Sequence, residues 1–369
     1  MFSFDKSGQG ASLQGRAASF ACGCNISRRG FLGGASALGA AAILPGCAGS
    51  GGSDQSPAAL MPKRIDTHHH FFPPTLVDAY KARNIAEPPM LNWTLAKTID
   101  DMDRAGVATA ILSVTTPGVS PFDVPTARKL AREANENAAK LMSDHKGRFG
   151  SFAMLPMNDT DSALKEIAYA LDTLKADGIG LLTSYGDKWL GHPSFAPVFA
   201  ELNRRKAIVY THPTVANCCR GLLPDTPPTV VEFGTDTTRT IVNIVFSGTA
   251  IKFPDIKWIF SHAGGSLPFL TERLIKMPVI DKKLAVHVPN GVLHELKRFY
   301  YDTAWAAHPY ALSSLLQLVS AQQVLFASDY PYRTSEDNVK GLVDFGFSQS
   351  DLDTIWRGNA QKLIPRLRA

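Results

Sequence analysis

Four histidines and one aspartate carry the metal-binding and proton-transfer chemistry this 369-residue sequence can offer: His68, His70, His212, His262 and Asp329. Imidazole nitrogens are donors to divalent zinc, manganese, iron or nickel, and a carboxylate adds negative charge to such a set. His68 and His70 stand two apart in "IDTHHH". On a strand, alternate side chains share a face. The two therefore point together, whereas His69 points away and is expected to pack. By the same alternation Asp66 lies on the face of His68, one step deeper, where it can orient a ligand histidine. His212 supplies a third nitrogen and Asp329 an anion. Such a set holds one cation and leaves room for water or substrate.

Those residues need a scaffold that brings distant positions together. Eight short apolar runs recur along the chain: 64–70, 109–114, 149–155, 178–185, 207–213, 257–263, 298–304 and 324–330. They are almost continuously apolar, as strands covered on both faces are. Helical patterns alternate with them at 94–106, 125–145, 161–178, 193–206, 237–254, 266–276, 309–321 and 351–364. Several open on Pro or an Asp/Ser cap and close on Gly. Eight strands alternating with eight helices read as an α/β fold of the (β/α)8 TIM-barrel kind. A doubly wound open sheet is the competitor. His68 and His70 close the first run, His212 the fifth, His262 the sixth and Asp329 the eighth. A barrel gathers all those ends at one mouth, whereas an open sheet strings them along a line.

Other residues fall on mouth loops as candidate substrate contacts: Trp93, Tyr185, Lys188, Trp189, Arg239, Tyr332 and Arg333. Arg239 suits a carboxylate or a structural salt bridge. His308 follows the seventh run and comes within reach of the pocket. His145, His192, His287 and His294 fall on expected surface and read as solvated.

Composition bounds the rest. With 45% apolar residues, the chain can bury one large core. The formal charge is +5, and part of it lies before residue 48. No basic run of the kind that follows nucleic acid remains. "SRRGFLGGASALGAAAILPGC" (27–47) pairs Arg28-Arg29 with a short, mildly apolar stretch, the pattern of a twin-arginine export signal engaging that export machinery. Cys47 sits where a bacterial lipoprotein would be lipidated. The expected organisation is a signal over 1–47, a flexible tether over 48–62 and one catalytic barrel over 63–369, placed in the periplasm with plain cleavage or a lipid anchor at Cys47. Beyond the signal only the adjacent Cys218 and Cys219 remain, too few for a disulfide framework.

The motifs "DTHHHFFP", "VYTHP", "FSHAGG" and "FASDYP", in this order, resemble the amidohydrolase superfamily. More narrowly they resemble its decarboxylase branch, with aminocarboxymuconate-semialdehyde and salicylate-type decarboxylases. The stretches 181–214 and 236–265 look most like the 6-methylsalicylate decarboxylase group. The resemblance spans about residues 63–365. It implies that His68, His70, His212 and Asp329 are the metal ligands, and that His262 polarises substrate or moves a proton. Two-metal members carry a bridging lysine at the end of the fourth strand. Here that strand ends "LLTSYG", and Lys188 lies beyond it, so one metal is expected, zinc first and manganese second. The resemblance also implies a homodimer and a small aromatic-acid substrate such as a 2-hydroxybenzoate. Asp329 is then the candidate to deliver the proton that replaces CO2, with His262 assisting. A mononuclear hydrolase of lactones or amides is the alternative, and a non-catalytic exported binding protein is a third, which His262 argues against.

Overall fold

The computed structural model describes residues 64–368. The expected export signal, its twin arginines, Cys47 and the tether lie outside the described residues. Eight strands form the barrel wall: β1 Arg64–His70, β2 Val107–Ser113, β3 Phe149–Met154, β4 Gly178–Leu182, β5 Ile208–His212, β6 Lys257–Phe260, β7 Tyr300–Asp302 and β8 Val324–Leu325. They pair in that order, each with the next and in parallel. The chain after β8 returns to β1. Thr67 N donates to the Phe326 carbonyl at 3.0 Å, and His69 and Tyr330 bridge in parallel. The ring closes there, so the (β/α)8 barrel stands and the open sheet does not.

Alternation along the strands sorts the core into two layers. Ile65, Ile111, Phe152, Ile208, Tyr210, Ile259 and Leu325 pack together as the barrel interior. Their strand neighbours, among them Ala110, Leu112, Val209, Trp258, Phe260 and Val324, face the helical shell. The barrel is thus filled below the mouth, and polar chemistry is confined to its upper rim.

Some strands are shorter than the apolar runs suggest. β6 stops at Phe260 and β8 at Leu325, and the fourth run breaks after Leu182 into a small hairpin, Ser184–Tyr185 with Lys188–Trp189. The helix expected over 237–254 begins earlier, as Glu232–Phe246, and breaks where Gly248 takes φ 79°. The 161–178 pattern is α-helical only over Thr160–Ala168 before a π turn. Helices Pro74–Ala82, Pro88–Asn92 and Ser335–Phe345 were not among the expected elements. The first two start on proline, whose fixed φ suits a first helical turn, and the third is capped by the Thr334 hydroxyl.

Candidate metal centre

Three imidazoles reach the mouth with their outer nitrogens turned toward one centre. His70 directs Nδ1 to the Ser113 carbonyl at 3.2 Å, and His212 directs Nδ1 to the Pro213 carbonyl at 2.7 Å. His68 directs Nδ1 to Asp302 Oδ2 at 2.9 Å. Each bond holds the Nδ1 side of its ring and leaves Nε2 facing the centre. Nε2 of His68 and of His70 are 3.0 Å apart. One ligand atom from each of His68, His70, His212 and Asp329 lies within 4.8 Å of the others. Asp329 Oδ1 stands 3.1 Å from His68 Nε2 and 2.9 Å from His70 Nε2, yet makes no well-aligned hydrogen bond. Three imidazole nitrogens and a carboxylate oxygen converging this closely fit a shared divalent cation. The four residues predicted as ligands are therefore brought together.

Burial sets the charge states. It holds the His70 imidazole below its ordinary pKa, against the pull of Asp329, and holds His212 well below, helped by the imidazoles of His70, His68 and His262. Both are neutral, as ligands must be. His68 feels the same burial, but Asp329 and Asp302 outweigh it and push its pKa up to about 10. Burial would raise the Asp329 carboxyl, but the facing imidazoles, His68 first, hold it well below the usual range.

Asp66 reaches no ligand imidazole. Its Oδ2 takes His69 Nδ1 at 2.9 Å and the Ser328 hydroxyl; its Oδ1 takes Ser328 N at 3.0 Å and His68 N at 3.1 Å. Simple alternation does not hold here because β1 carries a register irregularity. Asp66 pairs with Ala110 and His69 with Leu112, so β1 spends three steps where β2 spends two. The extra residue turns Asp66 to the outer face with His69 and sends His68 and His70 inward. His69 packs as expected, buried and stacked on Tyr330 at 4.8 Å between ring centroids. The role assigned to Asp66 belongs to Asp302, which also accepts His262 N at 2.8 Å. Asp302 ends the seventh strand, the same signal that singled out the other site residues.

His262 and Asp329 do not end strands; each sits past one on a turn. Both hold left-handed backbone, φ 54° and 68°, which non-glycine residues seldom adopt. Ser328 and Tyr330 fix the Asp329 turn: Tyr330 N donates to the Ser328 hydroxyl, and His70 N to the Tyr330 carbonyl. His262 Nε2 stands 3.6 Å from Asp329 Oδ2, with no hydrogen-bond partner. At Gly265 a Cβ would collide with the Gly234 backbone. That close approach seats helix Glu232–Phe246 on the His262 turn. Phe233, which no sequence signal marked, then lies edge-on to His212 with ring centroids 6.0 Å apart.

The family model described as amidohydrolase matches residues 65–366. The chain belongs to the amidohydrolase family. It is 38% identical over 326 residues to a decarboxylase of Aspergillus niger, covering 83% of this chain and 88% of that protein. It is 35% identical over 318 residues to the 6-methylsalicylic acid decarboxylase of Penicillium expansum, covering 83% and 97%. Among solved structures it resembles a dihydroxybenzoic acid decarboxylase from Polaromonas, with TM-score 0.72 and 21% identity over 84% of this chain and 98% of that one. That structure holds manganese and the inhibitor 2-nitroresorcinol.

The amidohydrolase mouth rearranges the expected substrate contacts. The Tyr185 hydroxyl accepts Leu182 N at 2.9 Å, which ties the hairpin to β4. Trp189 Nε1 donates to the buried Asp236 at 2.6 Å and lines an outer groove with Lys188. Arg239 lies 3.4 Å from Glu232 and 3.9 Å from Asp236, the structural salt bridge of its two readings. Trp93 packs edge-on to Phe72 at 6.4 Å between centroids. These four hold the wall rather than line the metal centre. Tyr332 does line it, edge-on to His70 with centroids 5.9 Å apart. His308 caps helix Pro309–Leu318 through Nδ1 and does not turn inward. Cys218 and Cys219 are free thiols in a short loop turn.

Proposed function

We propose that this amidohydrolase is a metal-dependent carboxy-lyase acting on a small aromatic acid of the 2-hydroxybenzoate type, such as 6-methylsalicylate. The observation that carries the reading is the pairing of an N3O ligand set with an unliganded His262 aimed at Asp329 in a mouth bordered by aromatic rings. The named decarboxylases above support it. 6-Methylsalicylic acid, for which the Penicillium expansum relative is named, bears neighbouring hydroxyl and carboxylate oxygens.

His68, His70, His212 and Asp329 would hold one divalent cation, and zinc and manganese both suit this set. When bound, that cation supplies Lewis acidity toward the substrate's hydroxyl and carboxylate oxygens. The chain's own residues do the rest. Tyr332 and Phe233, beside His70 and His212, present ring edges to an aromatic substrate. The proton goes to the ring carbon that bears the carboxylate. The C–C bond then breaks, its electron pair returns to the ring, and CO2 leaves. A proton from the mouth passes through His262 to Asp329, 3.6 Å away, and from Asp329 to that carbon. Asp302 keeps both working parts in place, holding the His68 ring and the His262 backbone with one carboxylate.

Chelator treatment and add-back test the metal requirement. CO2 release from 6-methylsalicylate should vanish on chelation and return with one equivalent of zinc or manganese. Activity that survives complete metal removal would overturn the proposal.

Arg28-Arg29 with its apolar stretch supports export by the twin-arginine route, and Cys47 supports a lipid anchor. Fractionation of the intact chain should place it in the periplasm or at its membrane; a wholly cytoplasmic product contradicts this. Exposed Phe269, Ile280 and Tyr310 support a homodimer, which light scattering tests.

A further inference from the structure

A divalent cation at the centre favours an anionic ring, and a free side-chain cation at the mouth would add to that preference. Of the cations considered from sequence, Arg239 already faces Glu232 and Asp236. Arg333 has no carboxylate within ion-pair distance among the described residues. It follows Asp329 by four positions, and its N donates to the Asp329 carbonyl at 3.3 Å. Its guanidinium lies over the ring of Trp305, 5.0 Å from the centroid. A cation over an aromatic face is oriented by the ring but keeps its N–H fork for a planar carboxylate.

Trp305 is unusual in its own right. It is 51% exposed, and its backbone is left-handed at φ 54°. A bulky residue takes that conformation only where its surroundings demand it. Here Asp302 Oδ1 accepts Ala304 N at 3.1 Å, and the Thr303 carbonyl accepts Ala306 N at 2.9 Å. Asp302 is the residue that holds the His68 ring. The pair therefore hangs from both ends of the metal centre: Arg333 from the ligand Asp329, and Trp305 from the partner of the ligand His68.

We propose that Arg333, braced on Trp305, is the specificity-determining cation of the mouth, which recognises the substrate's carboxylate on its way to the metal. The inference rests on the aromatic-acid reading above. It has a consequence for turnover. Loss of CO2 leaves a neutral phenol, which Arg333 no longer holds, so product release is favoured by the same group that favours substrate entry.

The test uses the metal-loaded protein, with salicylate as anionic probe and phenol as the neutral analogue, and calorimetry as readout. Arg333→Gln should weaken salicylate about tenfold and leave phenol unchanged. Arg333→Lys should recover only part, since it keeps the charge and loses the fork. Trp305→Phe should keep the affinity, because a ring remains beneath the guanidinium, whereas Trp305→Ala should lose about threefold. Equal salicylate affinity in Arg333→Gln and the parent overturns the proposal, as does an equal loss for salicylate and phenol. Parallel CO2 assays separate the two ideas. An Arg333-dependent salicylate affinity in a protein that releases no CO2 leaves the role of Arg333 standing and removes the carboxy-lyase reading. CO2 release with an unchanged KM in Arg333→Gln does the reverse.

Discussion

The two halves of the barrel mouth are built in different ways. On β1 and β5 the groups are His68, His70 and His212, carried on strands and held by the ladder. On the loops after β6, β7 and β8 the groups are His262, Trp305 and Asp329, each past its strand end and each at positive φ, 54°, 54° and 68°. The strand half supplies imidazole donors that need no local strain. The turn half supplies the anion and the proton-handling groups, and local hydrogen bonds must hold it in place. Two carboxylates do much of that holding. Asp66 fixes the turn that carries Asp329, and Asp302 ties the strand half to the turn half. Preorganisation is cheap where periodicity provides it and costs side-chain networks where it does not.

The largest expected effect lies where the halves meet. Asp329→Asn keeps a residue that tolerates left-handed backbone but removes the charge. It should lower kcat/KM by about 1000-fold or more and reduce bound metal, measured by steady-state kinetics with elemental analysis. His262→Asn acts on the turn half alone. It should lower kcat about 100-fold with full metal content. Loss of metal in that variant would merge the two halves and break the distinction. Asp302→Ala should weaken metal affinity by about 10- to 100-fold, because the His68 ring loses its orienting partner; a competitive chelator titration reads it. Asp66→Ala should leave metal affinity closer to the parent value but lower stability by about 1–3 kcal/mol in a denaturant melt. It strands the buried His69 Nδ1 and Ser328 N–H donors. Tyr185→Phe should have the smallest effect, about 1 kcal/mol in stability with KM unchanged, since its hydroxyl serves Leu182 N.

The same division explains what the sequence could reveal. Eight apolar runs, four of them closing on a reactive side chain, were enough for the barrel, and a spacing of two was enough for His68 and His70. Asp302 carried the same strand-end signal as its neighbours. The role of Asp66 was misplaced because an extra residue in β1 breaks alternation, and a bulge has no mark in "RIDTHHH". Phe233 was not visible at all. It reaches His212 only because Gly234 and Gly265 let two loops touch, a tertiary contact between positions 31 apart. Tyr185, Trp189 and Arg239 fell on the right loops, but a loop position does not say which way a side chain turns. Their partners Leu182, Asp236 and Glu232 turned them to the wall.

One measurement tests the central claim most directly. The metal-loaded protein is incubated with 6-methylsalicylate in heavy water, and CO2 and the aromatic product are quantified together. Equimolar CO2 and a phenol with one deuterium at the carbon that bore the carboxylate are expected. No CO2 from 6-methylsalicylate or related hydroxybenzoates, alongside turnover of an aromatic lactone or amide by the same preparation, would contradict the claim.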